Sequence, residues 1–437
     1  MPKHRILVAS ALLAGASLFA LAASADIWRA GYLPGWEQTN LPAAGVDFSA
    51  VTHLIHFALA PKADGSLNSD LDSITSANSA DVVFSAHAAG RKALICVGGA
   101  GSQAGFQAAA SSVNLSRFVG SLTNFVANRG YDGVDLDWEP LSVTDASAFS
   151  NLVAALRKAL DGFPQHKLLT VAVGAFPPYG DPVSSQAALL ASLQDNFDQI
   201  NVMTYDLSGP YAGWVTWFNS PIFDGGLHFP GTTRVVPSVN GSVTNFLQNG
   251  VKAGKLGIGI PFYGYAWTGG AGASTGGVTL PRQAWKSAPT VTMPSYTAIM
   301  ADYYQPRYYA WDAVAQAAYL SISNSDSERK MFVTFDDSRS CQAKIAYARN
   351  LGLGGVMIWE LAQDHQPGRP DPLLQAIKRA LGADPTASRS INQHERQFGL
   401  PGSAESAGGQ DDPAATNEMG GGFGPTNKAV HPARTGS

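Results

Sequence analysis

Eight short apolar runs alternate with amphipathic segments along this chain, and that alternation restricts the fold more than any other feature. The runs are Trp28–Leu33, Val51–Leu59, Ala93–Val97, Gly133–Trp138, Leu168–Gly174, Ile200–Tyr205, Leu256–Tyr263 and Gly355–Trp359. They are rich in Val, Ile and aromatic residues, and most are too short for helices, so they read as strands. Between them lie helix-like stretches such as Phe118–Asn128, Ala146–Leu160, Val243–Val251 and Ala343–Leu351. Leu152, Val153, Leu156 and Leu160 keep the helical spacing. Gly130 and Gly352 stand where such helices would end, a position that favours a left-handed residue. The pattern predicts an α/β fold, a closed parallel TIM (β/α)8 barrel. An open doubly wound sheet is the alternative, weakened because no GxGxxG follows the first strand.

The alternation is interrupted once. Roughly 90 residues separate Tyr263 from Gly355, too many for one ordinary loop. The stretch holds Tyr303, Tyr304, Tyr308, Tyr309 and Trp311, with β-like pieces at Val291–Met293 and Met331–Phe335. Residues 268–332 are therefore expected to form a small inserted α+β subdomain between strands 7 and 8. After Leu381 the composition changes to Gly, Pro, Ser, Asn and Ala without apolar periodicity. Such a segment cannot bury enough surface to offset its ordering entropy, so residues 386–437 are expected to be a disordered tail. That leaves 26–385 as the barrel domain.

The first 25 residues read as a secretory signal. Lys3, His4 and Arg5 precede an apolar run from Ile6 to Ala22, and Ala23-Ser24-Ala25 has the small-x-small form of a cleavage site. The alternative, a membrane anchor, suits an Ala- and Ser-rich run this short less well. The expected destination is extracellular, with the periplasm as the alternative, and no membrane association is expected after cleavage. Only Cys96 and Cys341 are present. An oxidising compartment would permit a disulfide, but two buried free thiols are the expectation. A formal net charge of −4 without a dense basic block excludes nucleic acid as a natural partner. No HExxH or His ligand spacing points to a metal, and no cofactor is implied.

The segment Tyr131-Asp132-Gly133-Val134-Asp135-Leu136-Asp137-Trp138-Glu139-Pro140 carries the chemistry. Side chains of a strand alternate faces. Asp135, Asp137 and Glu139 then share one face, roughly 7 Å apart at about 3.3 Å rise per residue. Val134, Leu136 and Trp138 take the other. In a barrel the apolar face packs on the outer helices, while the acidic row faces inward and climbs to the C-terminal mouth. Three carboxyls in a partly buried row cannot all ionise cheaply, so at least one pKa rises. Glu139, the outermost, can keep a proton and act as an acid, with Asp137 sharing the charge. A divalent-metal site is the competing reading, but one strand supplies ligands from only one direction. Asp132 has the wrong parity for the row and is expected to fix the strand entry.

This segment matches DxxDxDxE, and the chain thereby resembles the family-18 glycoside hydrolases. The resemblance extends over about residues 27–382. Gln199-Ile200-Asn201-Val202-Met203-Thr204-Tyr205-Asp206 resembles the family's sixth strand, which ends in MxYD. Gly354-Gly355-Val356-Met357-Ile358-Trp359-Glu360 resembles its eighth, which ends in the Trp that floors the sugar site. Arg29-Ala30-Gly31-Tyr32 and Lys255 to Gly264 resemble the first and seventh. Three departures stand out. Cys96 replaces the Ser of the third-strand SxGG motif, Ala100 stands where Trp is frequent, and Phe57 and Leu59 stand where Tyr and Phe are frequent.

The resemblance implies a secreted, monomeric chitinase acting on chitin or chitooligosaccharides, with retained configuration. Glu139 would protonate the glycosidic oxygen while the substrate's own acetamido oxygen attacks the anomeric carbon. Asp137 would bind the acetamido N–H, Asp135 would stand behind Asp137, and Tyr205 would donate to the acetamido oxygen. Substrate-binding expectations are Tyr32, Gly99, Ala100, Met203, Asp206, Trp217, Tyr263, Trp267 and Trp359. Trp36, Tyr211 and Trp214 also cluster near strand ends. The alternatives are an endo-β-N-acetylglucosaminidase of the same fold acting on glycans or peptidoglycan, and a non-hydrolytic chitin-binding lectin, which typically lacks the acid.

Overall fold

The structure, a computed structural model, describes residues 27–323 and 330–382. The expected leader and tail lie outside the described residues. Seven parallel strands follow in chain order: β1 (Trp28–Pro34), β2 (His53–Pro61), β3 (Lys92–Gly99), β4 (Gly133–Trp138), β5 (Leu168–Gly174), β6 (Gln199–Met203) and β7 (Leu256–Pro261). Five strands of a second sheet come next: β8 (Tyr265–Gly269), β9 (Pro289–Thr292), β10 (Tyr309–Asp312), β11 (Ala317–Ser323) and β12 (Lys330–Phe335). β13 (Gly355–Trp359) then completes the first sheet. That sheet runs β1-β13-β7-β6-β5-β4-β3-β2 and closes through β1–β2 pairing, Gly31 opposite Leu54. It is the TIM barrel that the eight apolar runs predict, and each run falls on one of its strands.

Helices fill the outside: α1 (Ser76–Ala88), α2 (Gln103–Ala109), α3 (Leu115–Arg129), α4 (Ala146–Leu160), α5 (Ser185–Leu193), α6 (Val239–Gln248), α7 (Ser338–Asn350) and α8 (Pro372–Gly382). A helix of α4's length is marginal alone. Its buried stripe of Phe149, Leu152, Val153, Leu156 and Leu160 supplies the rest, each side chain contributing about 1.5–3 kcal/mol by leaving water. The chain leaves α3 through Gly130 in the left-handed conformation, φ 79°.

The inserted sheet is antiparallel, in the order β9-β8-β12-β11-β10. It is wider than the expected 268–332, because Tyr265 already pairs with Thr334. Composition could not mark that boundary, since only Phe262, Tyr263 and Gly264 separate the barrel strand β7 from β8 and their aromatic character continues into it.

Candidate active site

On β4 the alternation is as the sequence implies. Val134, Leu136 and Trp138 face the helices, where Trp138 stacks on Phe106 of α2 (centroids 4.7 Å, interplanar 9°) and meets Phe149 of α4 edge-on at 6.0 Å. Asp135 and Asp137 are buried, and Glu139 is half-buried at the mouth. Gly98 of β3 has φ 118°, and a Cβ there would lie 1.9 Å from the Asp137 carbonyl oxygen, so only glycine lets β3 approach the acidic strand. The backbone around the acid is clamped from the β3–α2 loop. Ser102 Oγ accepts the Glu139 N–H at 3.1 Å and donates to the Asp137 carbonyl at 3.1 Å, while the Gln103 N–H donates to the Glu139 carbonyl at 3.0 Å.

Asp135, at the base of the row, accepts from the Tyr32 hydroxyl at 2.8 Å, from Thr170 Oγ1 at 2.5 Å and from the Cys96 thiol. Burial nevertheless pushes its carboxyl up to about 6, against the lowering effect of those donors. Asp137 rises well above the usual carboxylate range, first through burial and then through the charges of Glu139 and Asp135. Its Oδ1 has no hydrogen-bond partner among the described residues. Glu139 is pushed up to about 7, chiefly by burial, opposed by a hydrogen bond with Asp137 and assisted by the charge of Asp206. Neighbouring carboxyls in low dielectric cannot both ionise near neutrality, so the Asp137–Glu139 pair keeps a proton there.

Across the mouth, β6 delivers Tyr205 and Asp206. The Tyr205 ring lies against Gly259 of β7, where a Cβ would stand 2.7 Å from it, and meets Tyr263 edge-on at 6.0 Å. Asp206 is exposed to the cleft and has a left-handed backbone, φ 57°. Its Oδ1 accepts from the Tyr263 hydroxyl at 2.5 Å and the Tyr265 hydroxyl at 2.8 Å. The surrounding protein raises its carboxyl, and the two phenols act in the opposite direction.

Trp359 is half-buried and is backed by the buried rings of Phe57 at 4.7 Å and Tyr32 at 5.7 Å between centroids. Trp36 meets Phe57 edge-on at 5.9 Å. Met203 is half-buried, Gly99 is buried against the Phe57 ring, and Ala100 is exposed. Leu59, one of the departures, packs with the helix-side core and never reaches the cleft.

Three expectations need correction. Tyr32, Trp217 and Trp267 are fully buried, so none presents a face to a sugar, and the Tyr32 hydroxyl is engaged by Asp135. Trp217 donates its indole N–H to the Pro237 carbonyl at 2.8 Å and stacks beneath the Arg282 guanidinium, and Trp267 packs on Trp285 and Phe332. Proximity to a strand end did not distinguish an indole turned into the inserted sheet from one turned to the cleft. Trp214 is only half-buried, between exposed Tyr211 at 5.1 Å and Phe229 at 4.6 Å. Asp132 sits at the opposite end of the barrel. It accepts from the Ala93 N–H at 2.9 Å, His87 Nε2 at 2.8 Å and Lys92 Nζ at 3.1 Å, fixing the entry of β3. Cys96 and Cys341 are free and buried.

The sequence reading missed Thr170, Tyr265, Ser102 and Asn219. Tyr265 shares strand parity with Tyr263, which is a usable signal. Thr170 is identified only by register, opposite Asp135.

The sequence profile described as glycosyl hydrolases family 18 matches residues 29–364. Chitinase A1 of Niallia circulans is 30% identical over 348 residues, covering 72% of this chain and 46% of that protein. Endochitinase 1 of Metarhizium robertsii is 28% identical over 321 residues, covering 70% of this chain and 69% of that protein. Among solved structures, chitinase ChiW of Paenibacillus sp., described as a multi-modular cell-surface enzyme, superposes with a TM-score of 0.68 at 28% identity, covering 82% of this chain and 33% of that one. The chain thus spans less than half of the first relative and a third of the solved structure.

Proposed function

The chain belongs to glycosyl hydrolases family 18, and from that membership we propose that it is a secreted chitinase that cleaves β-1,4 bonds between N-acetylglucosamine units with retention. The observation that carries the proposal is the row of Asp135, Asp137 and Glu139 on one face of β4, with Glu139 half-buried at the mouth, its carboxyl and that of Asp137 raised chiefly by burial, near the buried Tyr205 and the half-buried Trp359. A protonated, half-buried carboxyl is what a leaving glycosidic oxygen needs as general acid.

The proposed sequence of events is the one the family implies, and the placement of these groups supports it. A sugar stacks on Trp359 and places its bond beneath Glu139, which gives its proton to the departing oxygen. The sugar's 2-acetamido oxygen, rather than a second carboxylate, attacks the anomeric carbon; this family is among the substrate-assisted exceptions to the two-carboxylate rule. The oxazolinium ion so formed carries positive charge. Asp137, whose Oδ1 has no partner among the described residues, accepts the acetamido N–H and balances that charge. The Tyr205 hydroxyl steadies the acetamido oxygen. Glu139, now a carboxylate, takes a proton from the water that opens the ring, and the original configuration returns. Residues 1–25 act as the leader that brings the mature chain, starting at Asp26, to its polymer.

The test is turnover of a labelled chitin trimer by the mature protein beside Glu139→Gln. Because Glu139 serves both steps, the rate should fall by on the order of 10³-fold or more while oligosaccharide binding is kept. Equal rates would remove Glu139 from the mechanism, and binding without turnover in the unsubstituted protein would make it a lectin. N-terminal sequencing of exported protein tests the leader.

A further inference from the structure

The segment that carries Tyr205 and Asp206 is held from outside the barrel. Asn219 is buried, and its Oδ1 accepts the Asp206 N–H at 2.8 Å. Its Nδ2 donates, over a longer 3.4 Å, to the carbonyl of Tyr263, the residue whose hydroxyl grips the Asp206 carboxylate. One side chain therefore ties together both attachments of Asp206, its backbone and its carboxylate partner. The left-handed backbone of Asp206 is a conformation that a non-glycine residue keeps only when its surroundings impose it, and Asn219 Oδ1 meets the amide that this conformation presents.

Asn219 is in turn fixed by the inserted sheet. Its own N–H donates to Thr334 Oγ1 of β12 at 3.2 Å, and its carbonyl accepts the Leu207 N–H at 3.0 Å. The next residue repeats the arrangement. Ser220 Oγ donates to the Thr204 carbonyl at 2.5 Å and accepts from Lys344 Nζ of α7 at 2.5 Å. Lys344 is fully buried and pairs with Asp336, which directly follows β12, at 2.5 Å. A buried ion pair contributes little net stability compared with an apolar replacement, and its best-attested use is to impose one geometry. Both hydrogen-bonding lines, from Thr334 and from Asp336, end on residues 204–206.

We infer that Asn219 is a positioning residue through which the inserted sheet sets Asp206 against the acid Glu139. The inference rests on the proposed role of Glu139 and extends it to how that acid is tuned. Glu139 is faced by Asp137 of its own strand, by Asp206 across the mouth, and by Tyr205 and Cys96 from neighbouring strands; Asp206 is faced by Tyr205, Tyr211, Tyr263 and Tyr265. The charge of Asp206 favours the protonated acid, so releasing Asp206 lets Glu139 ionise at lower pH.

The test uses the mature chain with carboxyl-13C glutamate, Glu139 being assigned by its loss in Glu139→Gln. In Asn219→Ala the Glu139 titration midpoint should fall by about half a pH unit or more. kcat on a chitin oligosaccharide should fall about 10- to 100-fold, with KM within about threefold. Thr334→Val, which keeps the shape and removes the acceptor, should move both in the same direction by less. Tyr347→Phe, which cuts a hydrogen bond from α7 to Asn240, should move neither. An unchanged midpoint in folded Asn219→Ala overturns the inference, as does a kcat loss that only follows the folded fraction. If Asn219→Ala does not fold, Thr334→Val decides alone. A shifted midpoint in a protein without turnover leaves the positioning intact and sinks the proposed function instead.

Discussion

Cys96→Ser is a small change with a calculable consequence. The buried Asp135 carboxyl is held by two hydroxyls and one thiol, and still sits at about 6, against an ordinary 3.8. That difference of about two units corresponds to about 3 kcal/mol. The folded-state value lies above the unfolded one, so the folded protein binds this proton more tightly. The cost is therefore absent below the ordinary value and fully present above the folded value. Stability linked to Asp135 falls as pH rises from about 4 to about 6. A serine hydroxyl is a stronger donor than a thiol. If the gain is about 1 kcal/mol, typical of one hydrogen bond, Asp135 drops by about 0.7 unit. Cys96→Ser should then regain about 1 kcal/mol relative to the unsubstituted protein at pH 7.5 and almost nothing at pH 4. Packing lost on exchanging sulfur for oxygen is the same at both pH values, so the difference of differences isolates the carboxylate. Urea unfolding of both proteins at the two pH values measures it. A double difference near zero, or one of opposite sign, would refute the account of Asp135.

Tyr205→Phe should leave the fold unchanged, because Gly259 and Tyr263 hold the ring rather than the hydroxyl. Losing a hydrogen bond to a charged transition state, about 1.5–3 kcal/mol, predicts a kcat lower by about 10- to 150-fold; steady-state kinetics beside a thermal melt would check it, and an unchanged kcat would remove Tyr205 from substrate contact. The pH profile has a defined sign. Glu139 acts in its protonated form with a midpoint near 7, so kcat/KM should be lost as pH rises through about 7, and Asp206→Asn should move that limb to lower pH. A limb that stays in place in Asp206→Asn would deny the charge coupling.

Much of the site was legible because strand parity and family motif act on the same residues. Asp135, Asp137 and Glu139 needed only the period of two. Asp132 needed the same rule in the negative: wrong parity put it at the strand entry, where it caps β3. The aromatic residues near strand ends were not separable in this way. Trp217 and Trp359 both stand near strand ends, yet one is buried beneath Arg282 and the other borders the cleft. What decides between them is the inserted sheet, whose contacts are set by residues far along the chain.

The sequence by itself determined the barrel and the acidic row, because both follow from local periodicities: apolar residues must face helices, and what alternates with them must face the axis. It also determined that three carboxyls so placed could not all ionise. How far each of them rises was decided only by tertiary structure, through the burial of all three and, at Asp135, through the opposing donors Tyr32, Thr170 and Cys96 on other strands. The setting of Asp206 by Asn219, Thr334 and Lys344 is of the same kind. Hydrogen bonds between residues tens or hundreds of positions apart depend on strand register and loop path, and neither leaves a repeating mark in the order of amino acids.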